Sequence, residues 1–265
     1  MCRCYRCGGI LSKQLSLIGC GIKIIAHLSK EAESHINKAE IVLFLVNEPV
    51  MEEWIGVHAR KVKNLSGLYF SQKNRESSYR LITKEILHAL ECYEFVCVVF
   101  YGHPTVFALP GLEAIKKAKE NGVETKIIPA ISAEDCLFAD LEIDPGECGC
   151  YSVEATDLLV YQRHPDTSSH LLVWQVGMLG NLGHEAHLKT DAIELFVEYL
   201  LKFYSENHVA VIYEASIYPG LDCIVKKFML KELRDQRISK IAILYIPPEE
   251  KKSADSLVLK KLGFI

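Results

Sequence analysis

The chain has 265 residues, 49% hydrophobic and 24% charged, with 30 basic against 34 acidic side chains and a net charge of −4. This is the composition of a globular protein with one large or two medium domains. The mild acidity argues against a polyanionic partner such as nucleic acid. No run reaches the ~18 consecutive apolar residues that a membrane span needs, and no small-residue cleavage site follows a clean apolar core. The expectation is a cytoplasmic protein without nucleic-acid or membrane partners.

Residues 1–14 read as a flexible leader with a CxxC, Cys4-Tyr5-Arg6-Cys7, preceded by Cys2. A zinc site needs about four ligands, and no second CxxC or matched histidine pair follows, so no metal is expected. Cys97, Cys136 and Cys223 stand in apolar surroundings and read as buried small hydrophobes.

Leu15 to Ile18 is a first strand running into Gly19-Cys20-Gly21. A dinucleotide fingerprint would put its third glycine at residue 24, which is Ile24, and the second strand ends in Phe44-Leu45-Val46-Asn47 without an acidic residue. A Rossmann site is therefore rejected, and the glycines instead let a loop pass close to a ligand or to the neighbouring domain. A helix is predicted from about Ser29, with Glu31 and Glu33 in its first turn. A second buried strand covers Ile41 to Val46, and a helical segment Met51 to Ala59. Asn64 to Ser78 reads as a polar loop containing Tyr69 and Arg75, and Tyr79 to Tyr93 has helical spacing.

The run Phe95-Val96-Cys97-Val98-Val99 then enters Phe100-Tyr101-Gly102-His103-Pro104-Thr105-Val106. This is a buried parallel strand whose carboxyl end carries a phenol, an imidazole and a chain-bending Gly-x-Pro, and such ends bind ligands in open α/β sheets. A plain turn with a surface histidine fits these residues equally well. Pro110 to Asn121 is a basic helix and Glu124 to Ile128 a strand. Ser132 is an N-cap candidate with Asp135 three residues on. Further strands are expected at Leu171 to Val176, Val209 to Tyr213 and Lys240 to Ile246, with a helix at about Thr190 to Tyr204. Pro247-Pro248 closes regular structure ahead of a charged tail, 249–265. Strands alternating with helices define the α/β class.

Arg75 and Tyr79, four apart at a helix start, share one face. A guanidinium beside a phenol favours the phenolate, which makes the pair a general-base candidate for a very weak acid. A surface cation stacked on a ring accounts for the same spacing.

Several ordered motifs together carry a resemblance. Tyr101-Gly102-His103-Pro104, Pro129-Ala130-Ile131-Ser132-Ala133-Glu134-Asp135, Ile143-Asp144-Pro145, Glu154-Ala155-Thr156-Asp157, Ser168-Ser169-His170-Leu171 and Trp174-Gln175-Val176-Gly177 resemble the borosin peptide-backbone α-N-methyltransferases. That family lies within the tetrapyrrole-methylase (class III) S-adenosylmethionine fold. The resemblance runs from about Leu15 to Pro248. It implies two α/β subdomains, 15–128 and 129–248, with the cofactor cleft between them. Its R-x-x-x-Y pattern falls on Arg75 and Tyr79, and its substrate-contacting tyrosine on Tyr69. Cofactor contacts fall on Tyr101, His103 and Val106, on Ser132 and Ala133, on Gln175, and on Ala215 and Ser216. Thr105 stands where the family usually has glycine, and Ser66 where fused members carry another tyrosine.

What the resemblance implies is iterative methylation of backbone amides in a ribosomal precursor peptide (RiPP biosynthesis), with S-adenosylmethionine as donor and S-adenosylhomocysteine as product. Tyr79 would be the base, with Tyr69 or Tyr101 donating to the amide oxygen. The short tail after Pro248, closing in Lys260-Lys261-Leu262-Gly263, resembles split members whose precursor is a separate chain. A homodimer holding two precursor chains is then expected. The alternatives are a tetrapyrrole or other small-molecule methyltransferase of the same fold, and an inactive precursor-binding scaffold.

Overall fold

The computed structural model describes residues 13–46, 48–184 and 190–265; the cysteine-bearing leader, apart from its last two residues, lies outside them. The described chain forms two units. The first holds the residues up to Cys136 together with Leu182–His184 and Ser216–Leu221, and the second holds Leu137–Asn181, 190–215 and Asp222–Ile265.

In the first unit, strands β1 (Gln14–Gly19), β2 (Ile41–Leu45), β3 (Val62–Asn64), β4 (Phe95–Phe100) and β5 (Glu124–Ile128) form a sheet in the order β3-β2-β4-β1-β5. All its pairings are parallel. Parallel sheets are covered on both faces, which is why β1, β2 and β4 are near-continuous apolar runs. Helices α1 (Lys30–Lys38), α2 (Pro49–His58), α3 (Ser66–Tyr69), α4 (Arg75–Cys92) and α5 (Leu109–Glu120) supply the cover. Leu15, Leu17, Leu43, Val96 and Val98 point to one face, against Ile82 and Ile86 of α4 and Ile115 of α5. Their neighbours Ile18, Val42, Phe44, Cys97 and Val99 point to the other, against Ile36 of α1 and Met51 and Ile55 of α2. Each fully buried aliphatic side chain contributes on the order of 1.5–3 kcal/mol.

The stretch expected as a polar loop, Asn64 to Ser78, is structured. The side chain of Asn64 accepts from the Ser66 amide at 2.7 Å and opens α3. That of Asn74 accepts from the Glu76 amide at 2.7 Å and caps α4, which begins at Arg75 rather than Tyr79. Local asparagine-to-backbone bonds thus replace the hydrophobic signal that sequence periodicity relies on.

The chain passes to the second unit within α6 (Ala133–Asp140). There α7 (Pro145–Cys148), β6 (Cys150–Glu154), α8 (Ala155–Val160), β7 (His170–Trp174), α9 (Thr190–Leu200), β8 (Val209–Glu214), β9 (Ile224–Met229), β10 (Ile243–Ile246) and α10 (Ser256–Lys261) follow. The sheet order is β6-β7-β10-β8-β9, with β10 antiparallel to both its neighbours. Leu171, Val173, Ile212 and Leu244 form a core with Phe196 and Val197 of α9 and Leu158 of α8.

Two of these strands, β6 and β9, carry no clear sequence signal. β6 is half-exposed and β9 is an exposed edge bearing Lys226 and Lys227, the residues that protect a free edge. The charged tail also contains a helix, α10, capped by Asp255, whose side chain accepts from the Leu257 amide at 2.8 Å. Pro247-Pro248 therefore does not end regular structure.

Candidate active site

The carboxyl ends of β1, β4 and β5 converge. Gly21 and Gly102 exchange backbone hydrogen bonds of 3.2 and 3.0 Å, and the Cys20 amide donates to the Phe100 carbonyl at 2.9 Å. A Cβ at Gly19 would fall 2.2 Å from the Gly102 carbonyl oxygen and 2.7 Å from Ala130 Cβ, so only glycine lets the three strand ends meet. Gly21 adopts φ +75, and the loop behind it closes on His27, whose Nδ1 accepts from the Ile22 and Lys23 amides at 3.3 and 3.0 Å. These contacts account for the Gly19-Cys20-Gly21 motif without a dinucleotide.

Beyond β4, the Tyr101 amide donates to the Leu45 carbonyl at 3.2 Å. Burial, then the neighbouring thiols of Cys20 and Cys136, push its phenol up to about 12. Tyr101 is thus a hydrogen-bond donor rather than a base. His103 Nδ1 receives the Thr105 amide at 3.3 Å and lies 3.0 Å from the Thr105 hydroxyl. An amide can only donate, so Nδ1 accepts and the ring presents Nε2–H. Val106 is 37% exposed on the same turn. After β5, the Ser132 hydroxyl donates to Asp135 at 2.9 Å and the Ser132 amide donates to the same carboxylate at 2.6 Å, with Ala133 as the first helical residue of α6. The serine side chain is therefore engaged by the expected cap.

Also at this edge of the sheet, where β3 leads into α3, stands the second predicted cluster. Tyr69 and Tyr79 lie with ring centroids 6.2 Å apart at 25°. The Tyr69 phenol is raised above its ordinary value, chiefly by burial and next by Tyr79, against the lowering pull of the Arg75 guanidinium. Like Tyr101, it stays protonated. The structure adds a residue with no sequence signal, His184. Its Nε2 lies 3.1 Å from the hydroxyl of fully buried Ser78, 106 residues away in the chain, and its ring meets Tyr69 edge-on at 4.5 Å.

In the second unit, Gln175 follows β7 in the left-handed region (φ 56) and Ala215 follows β8. Ile243 of β10 is paired with Trp174 on one side and Tyr213 on the other. Gln175 and Ala215 therefore sit at one end of that sheet, ~10 Å apart across two strand spacings. Ser216 belongs to the first unit, where its hydroxyl donates to the Tyr218 carbonyl at 3.0 Å. The Tyr218 phenol donates to the buried Glu48 carboxylate at 2.8 Å, and the Ile24 amide to the Ile217 carbonyl at 2.9 Å. The residues brought together in the first unit are thus Tyr101, His103, Val106, Ser132 and Ala133 at the strand ends, and Tyr69, Arg75 and Tyr79 beside α3.

Comparison with known proteins gives a consistent picture. The model of the Tetrapyrrole (Corrin/Porphyrin) Methylases matches residues 14–218. A methyltransferase/ribosomally synthesized cyclic peptide gymnopeptides precursor of Gymnopus fusipes is 34% identical over 256 residues, covering 95% of this chain and 61% of the relative. A methyltransferase/ribosomally synthesized type I borosin cyclic peptide precursor of Gymnopilus junonius is 34% identical over 254 residues, covering 94% and 60%. The chain spans about three fifths of the length of these relatives. A crystal structure of uroporphyrin-III C-methyltransferase from Thermus thermophilus, complexed with S-adenosylhomocysteine, shares the fold at TM-score 0.59. It is 17% identical, over 93% of this chain and 100% of that one.

Proposed function

Since this chain belongs to the tetrapyrrole (corrin/porphyrin) methylases, we propose that it transfers methyl groups from S-adenosylmethionine to backbone amide nitrogens of a ribosomal precursor peptide. The precursor is carried on a separate chain and is methylated repeatedly. The observation that carries the reading is the Tyr69, Arg75 and Tyr79 cluster, set at the same sheet edge as Tyr101 and His103. The relatives, each a methyltransferase joined to a cyclic-peptide precursor in one protein, support the peptide substrate.

The residues present fit S-adenosylmethionine. At the ends of β4 and β5, Tyr101 and His103 are neutral donors, and Val106 and Ala133 offer small apolar surface. Tyr101, His103, Val106, Ser132, Ala133 and Ser216 of the first unit would hold it. When bound, it supplies an electrophilic methyl group on a sulfonium sulfur.

The protein's task is to make an amide nitrogen reactive. That nitrogen is a weak nucleophile because its lone pair is delocalised into the carbonyl. Tyr79, acting as a phenolate with the Arg75 charge beside it, takes the N–H proton as general base and becomes the phenol. Tyr69 or Tyr101, both phenols raised above their ordinary value, donates to the amide oxygen as its negative charge grows. His103, its Nδ1 engaged by Thr105 so that Nε2 carries the proton, is a donor for the cofactor.

The test is co-expression with the small open reading frames that neighbour its gene, followed by intact-mass and fragmentation analysis. Mass increments of one CH2 each, placed on backbone nitrogens, are the expected result. An unmodified precursor, with methylation of a tetrapyrrole by the same enzyme, would replace this reading with the small-molecule one. An unmodified precursor bound tightly alongside S-adenosylhomocysteine would leave a scaffold.

A further inference from the structure

We infer that His184 is a positioning residue of this reaction site, holding Tyr69 against the first turn of α4. The inference rests on the reading of the Tyr69, Arg75 and Tyr79 cluster as the place of methyl transfer.

The segment Leu182–His184 returns to the first unit from the far side of β7 in the sequence. Two bonds fasten it to α4. The Leu182 carbonyl accepts from the Arg75 amide at 3.0 Å, one of the donors that a helix start leaves without an intrahelical partner. His184 Nε2 lies 3.1 Å from the Ser78 hydroxyl, one turn further on. So anchored, the imidazole meets Tyr69 edge-on at 4.5 Å and Phe70 at 5.7 Å. It fills the corner between α3 and α4.

Tyr69 also meets Phe70 edge-on, stacks on Tyr79 and packs on the first-unit core. Among the described residues, His184 adds the one ring contact that comes from outside α3 and α4 and the residue between them. α3 has four residues, and the polar turns on either side are built from asparagine-to-backbone bonds. Packing on His184 restricts the ring that must present its hydroxyl beside Tyr79. The imidazole suits the place because burial and the Arg75 charge hold it below the ordinary histidine value, opposed by the Gln72 backbone. A neutral ring sits next to Arg75 and Tyr69 without repulsion.

Two readouts test this. The first needs no peptide. With ring-labelled tyrosine, the Tyr69 resonance, assigned through Tyr69→Phe, is titrated in the parent and in His184→Ala. The titratable groups facing the Tyr69 phenol are Tyr79 and Arg75 of α4 and His184. Opening the corner to water removes part of the burial that raises Tyr69 and leaves Arg75 in place, so its titration shifts to lower pH. The second readout is methylation of the co-expressed precursor. His184→Ala lowers kcat by roughly tenfold or more, the scale of a displaced catalytic group. KM and the affinity for S-adenosylhomocysteine stay within about twofold, and His184→Gln, which keeps a partner for Ser78, recovers part of kcat. An unmoved Tyr69 titration and an unmoved kcat in a folded His184→Ala would overturn the inference alone. A parent enzyme that methylates no precursor would overturn the peptide reading instead.

Discussion

The amide of Thr105 donates to Nδ1 of His103 across 3.3 Å, and the Thr105 hydroxyl lies 3.0 Å from the same nitrogen. Threonine replaces the glycine expected at this position from the family pattern, and the turn still forms. The replacement adds a second contact that sets the tilt of the imidazole. Its consequence is measurable with the cofactor product alone.

Thr105→Val removes the hydroxyl and keeps the backbone amide. One hydrogen bond of this kind is worth about 1 kcal/mol, so affinity for S-adenosylhomocysteine should fall roughly fivefold, with Thr105→Ser close to the parent. Calorimetric titration measures it. Equal affinity in all three proteins would mean that the hydroxyl does not orient His103.

Gly19→Ala is expected to be costly because its new Cβ meets backbone, the Gly102 carbonyl oxygen at 2.2 Å, which cannot rotate away. Overpacking of this kind destabilises by about 1–3 kcal/mol. Urea unfolding should show that loss together with weakened cofactor binding, since the three strand ends are pushed apart.

Tyr79→Phe should lower methylation by roughly 100-fold or more, the usual contribution of a general base, with S-adenosylhomocysteine affinity preserved. Tyr69→Phe removes a donor to the amide oxygen and should also act on kcat. Loss of cofactor affinity in a folded Tyr79→Phe protein would place Tyr79 in the cofactor site and remove it from the role of base.

The loop after β1 should make stability depend on pH through His27. Its Nδ1 accepts two backbone amides, and protonation there breaks both bonds. Burial, then Lys23, holds its pKa below 6.5, with Asp135 opposing. A group depressed in the folded state contributes stability that is present above its unfolded pKa and lost as pH falls through the folded value. Denaturation midpoints of the parent should therefore decline below pH ~6.5 more steeply than those of His27→Gln. Parallel curves for the two proteins would assign the acid sensitivity elsewhere.

Much of the architecture is legible in the linear order of residues. The runs at β1, β2 and β4 are apolar almost throughout because a parallel sheet buries both faces, and that signal survives without any knowledge of partners. The Ser132 and Asp135 cap is equally local, as is the one-turn spacing of Arg75 and Tyr79. Where burial is partial the signal fades. β6 and the edge strand β9 are half or mostly exposed, and α3 is a single turn, too short for a periodic apolar stripe, opened by the Asn64 side chain.

The sequence by itself determined which residues are chemically able to act: a phenol beside a guanidinium, an imidazole after a buried strand, glycines where strands end. Tertiary structure alone decided which of them meet. His184 lies 106 residues from Ser78, and the Tyr218 phenol 170 from the Glu48 carboxylate it reaches. No periodicity encodes such pairs, because they arise only when separate elements close on one another. Tautomer and protonation state follow the same division. An isolated tyrosine titrates near 10, and it is the packing around Tyr101 that pushes it up to about 12, further from acting as a base.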